Sequence, residues 1–190
     1  MAEQHTHGTT YDKSDESTLT EIGVGKAEGA AYAGALKYLT TMEASDSGQQ
    51  EIGDYLIAYS IENAEGLYHM ESGQLVWHEP KEENCHLEIA VCNAADGRFL
   101  PGLKVHAKLT ESATGKSIGD YELPFLWHPW VYHYGKNLAI PRDEKYKLNV
   151  HVDAPDFARH DRVNGRRFHD ALDATFEITI KTGRKQSQAA

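Results

Sequence analysis

Eleven of the 190 residues are histidine, the side chain that supplies the commonest metal ligand and changes charge near neutral pH. Their neighbours decide what that chemistry could be. Alternation along residues 85–92 puts Cys85, Leu87, Ile89 and Val91 on one strand face and His86, Glu88, Ala90 and Cys92 on the other. One face reads as core. The other carries an imidazole and a carboxylate two residues apart, close enough to share a first-row transition-metal ion. A second segment, LPFLWHPWVYHYG (residues 123–135), sets His128 and His133 among Trp127, Trp130, Tyr132 and Tyr134. Gly135 permits a tight turn there that would hold the His133 imidazole in place. A third segment, DFARHDRVNGRR, puts His160 beside Asp161 in a turn-rich loop after Pro155. His5 and His7, in the run H-T-H, read as solvated side chains.

These side chains need a scaffold. After Gly53 the hydrophobic period becomes two. Candidate strands are residues 55–61, 67–68, 74–77, 85–92, 103–110, 118–126, 146–152 and 174–181. Seven or eight short strands with turn signals such as Asp96-Gly97 and Thr114-Gly115 predict an all-β, immunoglobulin-like β-sandwich. The Cys, Trp, Cys spacing of antibody domains is missing, so only the architecture is implied. Residues 26–45 repeat Ala31, Ala35, Leu39 and Met42 at helical steps. Gly29 and Gly34 weaken that helix by about 1 kcal/mol each, and the run SDSGQQ ends it. The expected organisation is a flexible tail over residues 1–20, a helical extension over 21–50, the sandwich over 51–182 and a second tail over 183–190. The first tail rests on a polar composition in which Leu19 is the one branched aliphatic residue.

Composition bounds the function. At 40% hydrophobic and 25% charged the chain reads as globular. With 29 acidic against 19 basic residues its formal charge is −10, which gives nucleic acid no basic surface to grip. Cys85 and Cys92 lie about 23 Å apart if both are in one strand, too far to bridge, so they read as free thiols. No window of about 18 apolar residues and no leader pattern occurs, although a secreted protein made without its leader would look the same. There is no G-x-S-x-G, H-E-x-x-H, P-loop or dinucleotide fingerprint, so nothing points to an enzyme.

The ordered set HLE at 86–88, HYGKN at 133–137, YKLNVHVDAP at 146–155, RHD at 159–161 and NGRRF at 164–168 resembles the periplasmic ferrous-iron transport protein family over about residues 52–181. The resemblance implies a periplasmic, homodimeric sandwich. It also implies a bound divalent metal, Cu(II) or Fe(II), and a membrane iron permease as partner. The family's ligands are the His and Glu of H-x-E, a Met upstream of H-Y-G, the His of H-Y-G and a His in the following Arg-His loop. By motif those positions are His86, Glu88, His133 and His160. The Met falls at Phe125 or Leu126, neither of which can coordinate. Because a thioether favours soft Cu(I), its loss implies a harder site. His128 ranks first as its replacement, followed by His78 and Met70. The first 50 residues have no family counterpart and would serve oligomerisation or cover a sheet edge.

The leading function is a metal-binding protein of an iron-uptake system that passes its ion to the permease. One alternative is a structural or interaction module that has kept the fold and lost the metal. Another is a copper-dependent ferrous-iron oxidase in which Tyr132 and Tyr134, or Trp127 and Trp130, carry electrons. Three neutral imidazole ligands would make affinity fall between about pH 7.5 and about pH 5.5, around the ordinary His pKa of roughly 6.5.

Overall fold

A computed structural model describes residues 10–182, so His5, His7 and residues 183–190 lie outside the described residues. The element order is a helix, α1 (Leu19–Tyr38), a wide π turn (Leu39–Glu43) and eleven strands. The strands are β1 (Asp46–Ile52), β2 (Tyr55–Glu62), β3 (Leu67–Glu71), β4 (Gln74–His78), β5 (Cys85–Asn93), β6 (Val105–Glu111), β7 (Ser117–Leu123), β8 (Phe125–Trp127), β9 (Tyr132–Leu138), β10 (Glu144–Val152) and β11 (Leu172–Ile180).

Two antiparallel sheets, ordered β1-β2-β5-β9-β8 and β11-β10-β6-β7, face each other as a β-sandwich, and β3-β4 is a separate hairpin. Alternation builds the core: Ile57, Ile61, Leu87, Ile89 and Val91 point in from one sheet. Val105, Leu109, Leu148, Val150 and Ile178 meet them from the other.

β5 departs from the half-exposed strand that its alternation predicts, because all nine of its residues are buried. Its outer face is covered by the chain itself. Leu36 of α1 and Leu39 of the π turn pack with Ala58, Ala90, Cys92 and Val131. Burying two such leucines contributes about 1.5–3 kcal/mol each. Close approach of α1 depends on Gly29, where a Cβ would stand 1.8 Å from the Asp96 carbonyl oxygen. Within the first 50 residues α1 thus covers a face of this sheet, while the start of β1 covers the edge of β2.

Other boundaries also shift. The helix begins at Leu19, not near residue 26, because Thr18 and Glu21 form a reciprocal capping box. β1 runs through the residues expected to stop the helix. Its edge position leaves it largely polar and only partly buried, which hides the period-two signal. β9 contains Gly135, so this glycine sits in a strand opposite Glu88 and not in the tight turn expected of it.

Residues 10–18, expected as tail, lie against the sandwich. The Tyr11 hydroxyl is bonded by the Asn93 amide and by Arg98, and the Arg167 guanidinium lies 4.5 Å from the Tyr11 ring centroid. Ser14 donates to Asp161 at 2.7 Å. One aromatic ring and these polar partners order a segment that lacks aliphatic residues.

Candidate metal centre

The outer face of the five-stranded sheet is legible from register. Glu62 on β2 lies opposite His86 on β5, and His86 lies opposite Asn137 on β9. One step along, Ser60 faces Glu88, and Glu88 faces Gly135. On the adjoining edge Leu126 of β8 pairs with His133 of β9. Residues 133, 135 and 137 share this face because side chains alternate along β9.

His86, Glu88 and His133 converge there. One donor atom from each lies within 4.8 Å of the other two, and all three residues are buried. Glu88 Oε1 is 3.2 Å from His133 Nε2 and 3.8 Å from His86 Nε2. Two donors on one transition ion at about 2.1 Å each stand roughly 3.0–4.2 Å apart, so these spacings suit a shared ion.

The hydrogen bonds lead to the same conclusion. Glu88 Oε2 and both ring nitrogens of His133 are buried without a hydrogen-bond partner, and a buried polar atom left unmatched costs about 1–3 kcal/mol. Gly135 keeps open the space between them. A Cβ on it would stand 2.9 Å from His133 Cδ2, 3.1 Å from His86 Nε2 and 3.1 Å from Leu126 Cδ1. The donor set and the space it encloses fit a divalent transition ion.

Asn137 aims His86. Its Nδ2 donates to the Glu65 carbonyl at 2.7 Å and its Oδ1 accepts from the Glu65 N–H at 3.3 Å, which fixes the orientation of the amide. Oδ1 is therefore an acceptor for His86 Nδ1 at 2.7 Å. The neutral imidazole then carries its proton on Nδ1 and presents the Nε2 lone pair to the site. Asn137→Ala is expected to weaken metal binding by about 10- to 100-fold with all three ligands intact. Competitive chelator titration would read this, and unchanged affinity would remove Asn137 from the account.

Burial shapes the electrostatics. Desolvation, with smaller effects from His86 and His128, pulls the His133 pKa down to about 3. Desolvation also lowers His86, against the bond from Asn137. Glu88 is pushed well above the usual carboxylate range by desolvation and then by Glu62 and Glu65. Glu62 itself rises to about 7, chiefly through burial. Near neutral pH the site thus holds neutral imidazoles, beside a carboxyl whose protonated form burial favours.

The remaining predicted residues separate. His128 lies in the β8–β9 connection, edge-on to Trp130 with ring centroids 5.4 Å apart. Its Nδ1 is buried and unpartnered, and it is near enough to His133 to depress that imidazole. It is not one of the three converging donors. Leu126, and not Phe125, faces the site, because Phe125 packs with Phe99 and Tyr134.

His78 and Met70 lie on the β3–β4 hairpin, where His78 is 2.7 Å from Glu71. His160 lines a cavity with Tyr11 and Arg98, beside Asn93. That is the opposite end of β5 from His86, about 23 Å away at roughly 3.3 Å per residue. Within one chain, His160 and His86 cannot share an ion. Asn137 and Gly135 are the site residues whose roles the sequence reading missed. Their signal was the spacing His133, Gly135, Asn137, two residues apart as on one strand face.

A buried His, Glu, His set on the outer face of a β-sandwich is an arrangement that could hold a metal ion. Residues 49–181 match the family described as Fe2+ transport protein, and the chain belongs to that family. No curated protein matches the sequence. Among solved structures, FetP from uropathogenic E. coli strain F11 is similar with TM-score 0.60 and 18% identity, covering 74% of this chain and 100% of that one. The copper-reconstituted P19 protein of Campylobacter jejuni gives TM-score 0.61 and 18% identity over 73% and 96% of the two chains. A copper-bound P19 variant with methionine replaced by isoleucine gives TM-score 0.59 and 17% identity over 72% and 96%. These similarities establish the sandwich fold. α1 precedes the segment that matches the family.

Proposed function

We propose that this protein is a periplasmic carrier that takes up one Cu(II) or Fe(II) ion through His86, Glu88 and His133 and passes it to a membrane iron permease. The observation that carries the reading is the set of buried, unpartnered donor atoms around the Gly135 opening. A scaffold that had lost its metal would gain stability by filling that space with apolar atoms. His128 is the proposed fourth donor, since its buried Nδ1 is unsatisfied and Leu126 offers none. His160 can join the set only from a second copy of the chain, which makes the homodimer part of this proposal.

The test is metal-dependent stability. An ion that binds only the folded chain raises unfolding free energy by about 2.7 kcal/mol at a hundred times its Kd. Thermal unfolding with added Cu(II), or with Fe(II) under anaerobic conditions, should show that shift. Identical transitions with and without metal would favour the structural module.

Binding should release a proton, and its source differs from the sequence expectation. His86 and His133 are held neutral by their lowered pKa values and have no proton to give near pH 7. Burial favours the protonated form of Glu88 while coordination requires the carboxylate, so Glu88 is the proposed source of the proton. Affinity therefore falls on acidification through Glu88. Calorimetry in two buffers of different ionisation enthalpy should report the released proton, and Glu88→Gln should abolish it. A release that persists in Glu88→Gln would contradict this assignment.

A further inference from the structure

We propose that the outer face of the four-stranded sheet carries a second, exposed site for a divalent transition ion, built by His106, His151 and Asp153. The strand order β11-β10-β6-β7 sets four polar side chains in one row. Asp173 lies opposite His151, His151 opposite His106, and His106 opposite Glu122. Their neighbours along the strands, Val105, Ala107, Val150, Val152, Leu172 and Ala174, are buried in the core, so alternation turns the row outward.

The run His151-Val152-Asp153 repeats the spacing of His86-Leu87-Glu88, an imidazole and a carboxylate two residues apart along one strand face. The distances repeat as well. His151 Nε2 is 3.2 Å from Asp153 Oδ1, as His133 Nε2 is from Glu88 Oε1 in the buried set. His151 Nδ1 is 2.8 Å from Asp173 Oδ1, which aims this ring as Asn137 aims His86. A carboxylate behind a histidine in this way fixes the tautomer that offers the other nitrogen to a metal.

A neutral His151 has one N–H, and the shorter contact places it toward Asp173. Nε2 and Asp153 Oδ1 then confront each other as two acceptors, and a cation between them satisfies both. Either a proton or a metal ion can fill that role. His106 favours the metal ion, because it adds a third donor. It stands directly across from His151, where opposite Cβ atoms are about 4.5–5.5 Å apart, so its imidazole is long enough to reach the same point. It makes no hydrogen bond or ion pair among the described residues that would hold it elsewhere.

Among the described residues His86, Glu88 and His133 are the set whose donors already converge within 4.8 Å. The second set closes by rotation of the half-buried His106 side chain. Two imidazoles and a carboxylate suit Cu(II) or Zn(II). Lys104 and Lys108 flank His106 on the same face and oppose a cation, so this site is the weaker of the two and fills after the buried one. It shares no residue with the buried set or with His160.

The test is titration of the ¹⁵N-labelled full chain with Cu(II), read by paramagnetic broadening of amide signals, in wild type and in His133→Ala. In wild type, residues 105–107 and 150–153 should broaden beyond the first equivalent. The same residues should broaden in His133→Ala, so failure of the buried site leaves this result legible. Asp173→Ala should weaken the second binding by about 10- to 100-fold, and His106→Gln by at least about tenfold. Both side chains point away from the core, so an unchanged amide spectrum without metal reports the fold. Broadening confined to other histidines, equal second binding by wild type and His106→Gln, or no second ion bound up to about 1 mM Cu(II) would overturn the proposal.

Discussion

His133→Ala is expected to lower affinity for Cu(II) or Fe(II) by more than about a hundredfold. Groups that merely orient a ligand are worth about 10- to 100-fold, and His133 is a proposed direct donor. It is buried, its Nε2 stands 3.2 Å from Glu88 Oε1, and neither of its ring nitrogens has another partner. From the same chain, His86 and Glu88 would then hold the ion with His128 alone beside them. Competitive titration against a chromophoric chelator measures the loss. Affinity within about threefold of wild type would show that the ion binds elsewhere, since one lost imidazole should exceed that margin.

Gly135→Ala is the sharper variant, because it removes no donor. The added Cβ would be within 2.9–3.1 Å of His133, His86 and Leu126, inside the space the ion requires. Backbone strain is not the cause, since Gly135 is absent from the positive-φ glycines and sits in regular strand pairing with Glu88. The side chains can recoil only by moving apart, which takes both imidazoles away from Glu88. Metal affinity should fall by at least about a hundredfold, comparable to losing a ligand, while the metal-free variant keeps its strand pairing. Retained affinity in a folded Gly135→Ala would mean that the ion does not occupy this opening.

How much of this was legible in sequence depended on where each signal lay. Alternation in residues 85–92 placed His86 and Glu88 on one face correctly, because the inward positions are uniformly apolar. It did not show that α1 would bury that face as well, since Ala90 and Cys92 look indifferent until Leu36 and Leu39 are set upon them. β9 was obscured because tyrosines, a glycine and a histidine lie where aliphatic residues would mark a strand. Thr18 and Glu21 carried a readable capping box that the weak periodicity of α1 concealed. The separation of His160 from His86 is a matter of which end of the sandwich each loop reaches, which spacing along the chain does not encode. The lowered imidazoles and raised Glu88 follow chiefly from burial, which the sequence does not show until the face is seen to be covered.

The most direct test of the central claim is anomalous diffraction from crystals grown with Cu(II), recorded at the copper edge. The account predicts one strong peak per chain between His86 Nε2, Glu88 Oε1 and a ring nitrogen of His133, beside the Cα of Gly135. A peak confined to the β3–β4 hairpin at His69 and His78, or none at the His86, Glu88, His133 set, would contradict it.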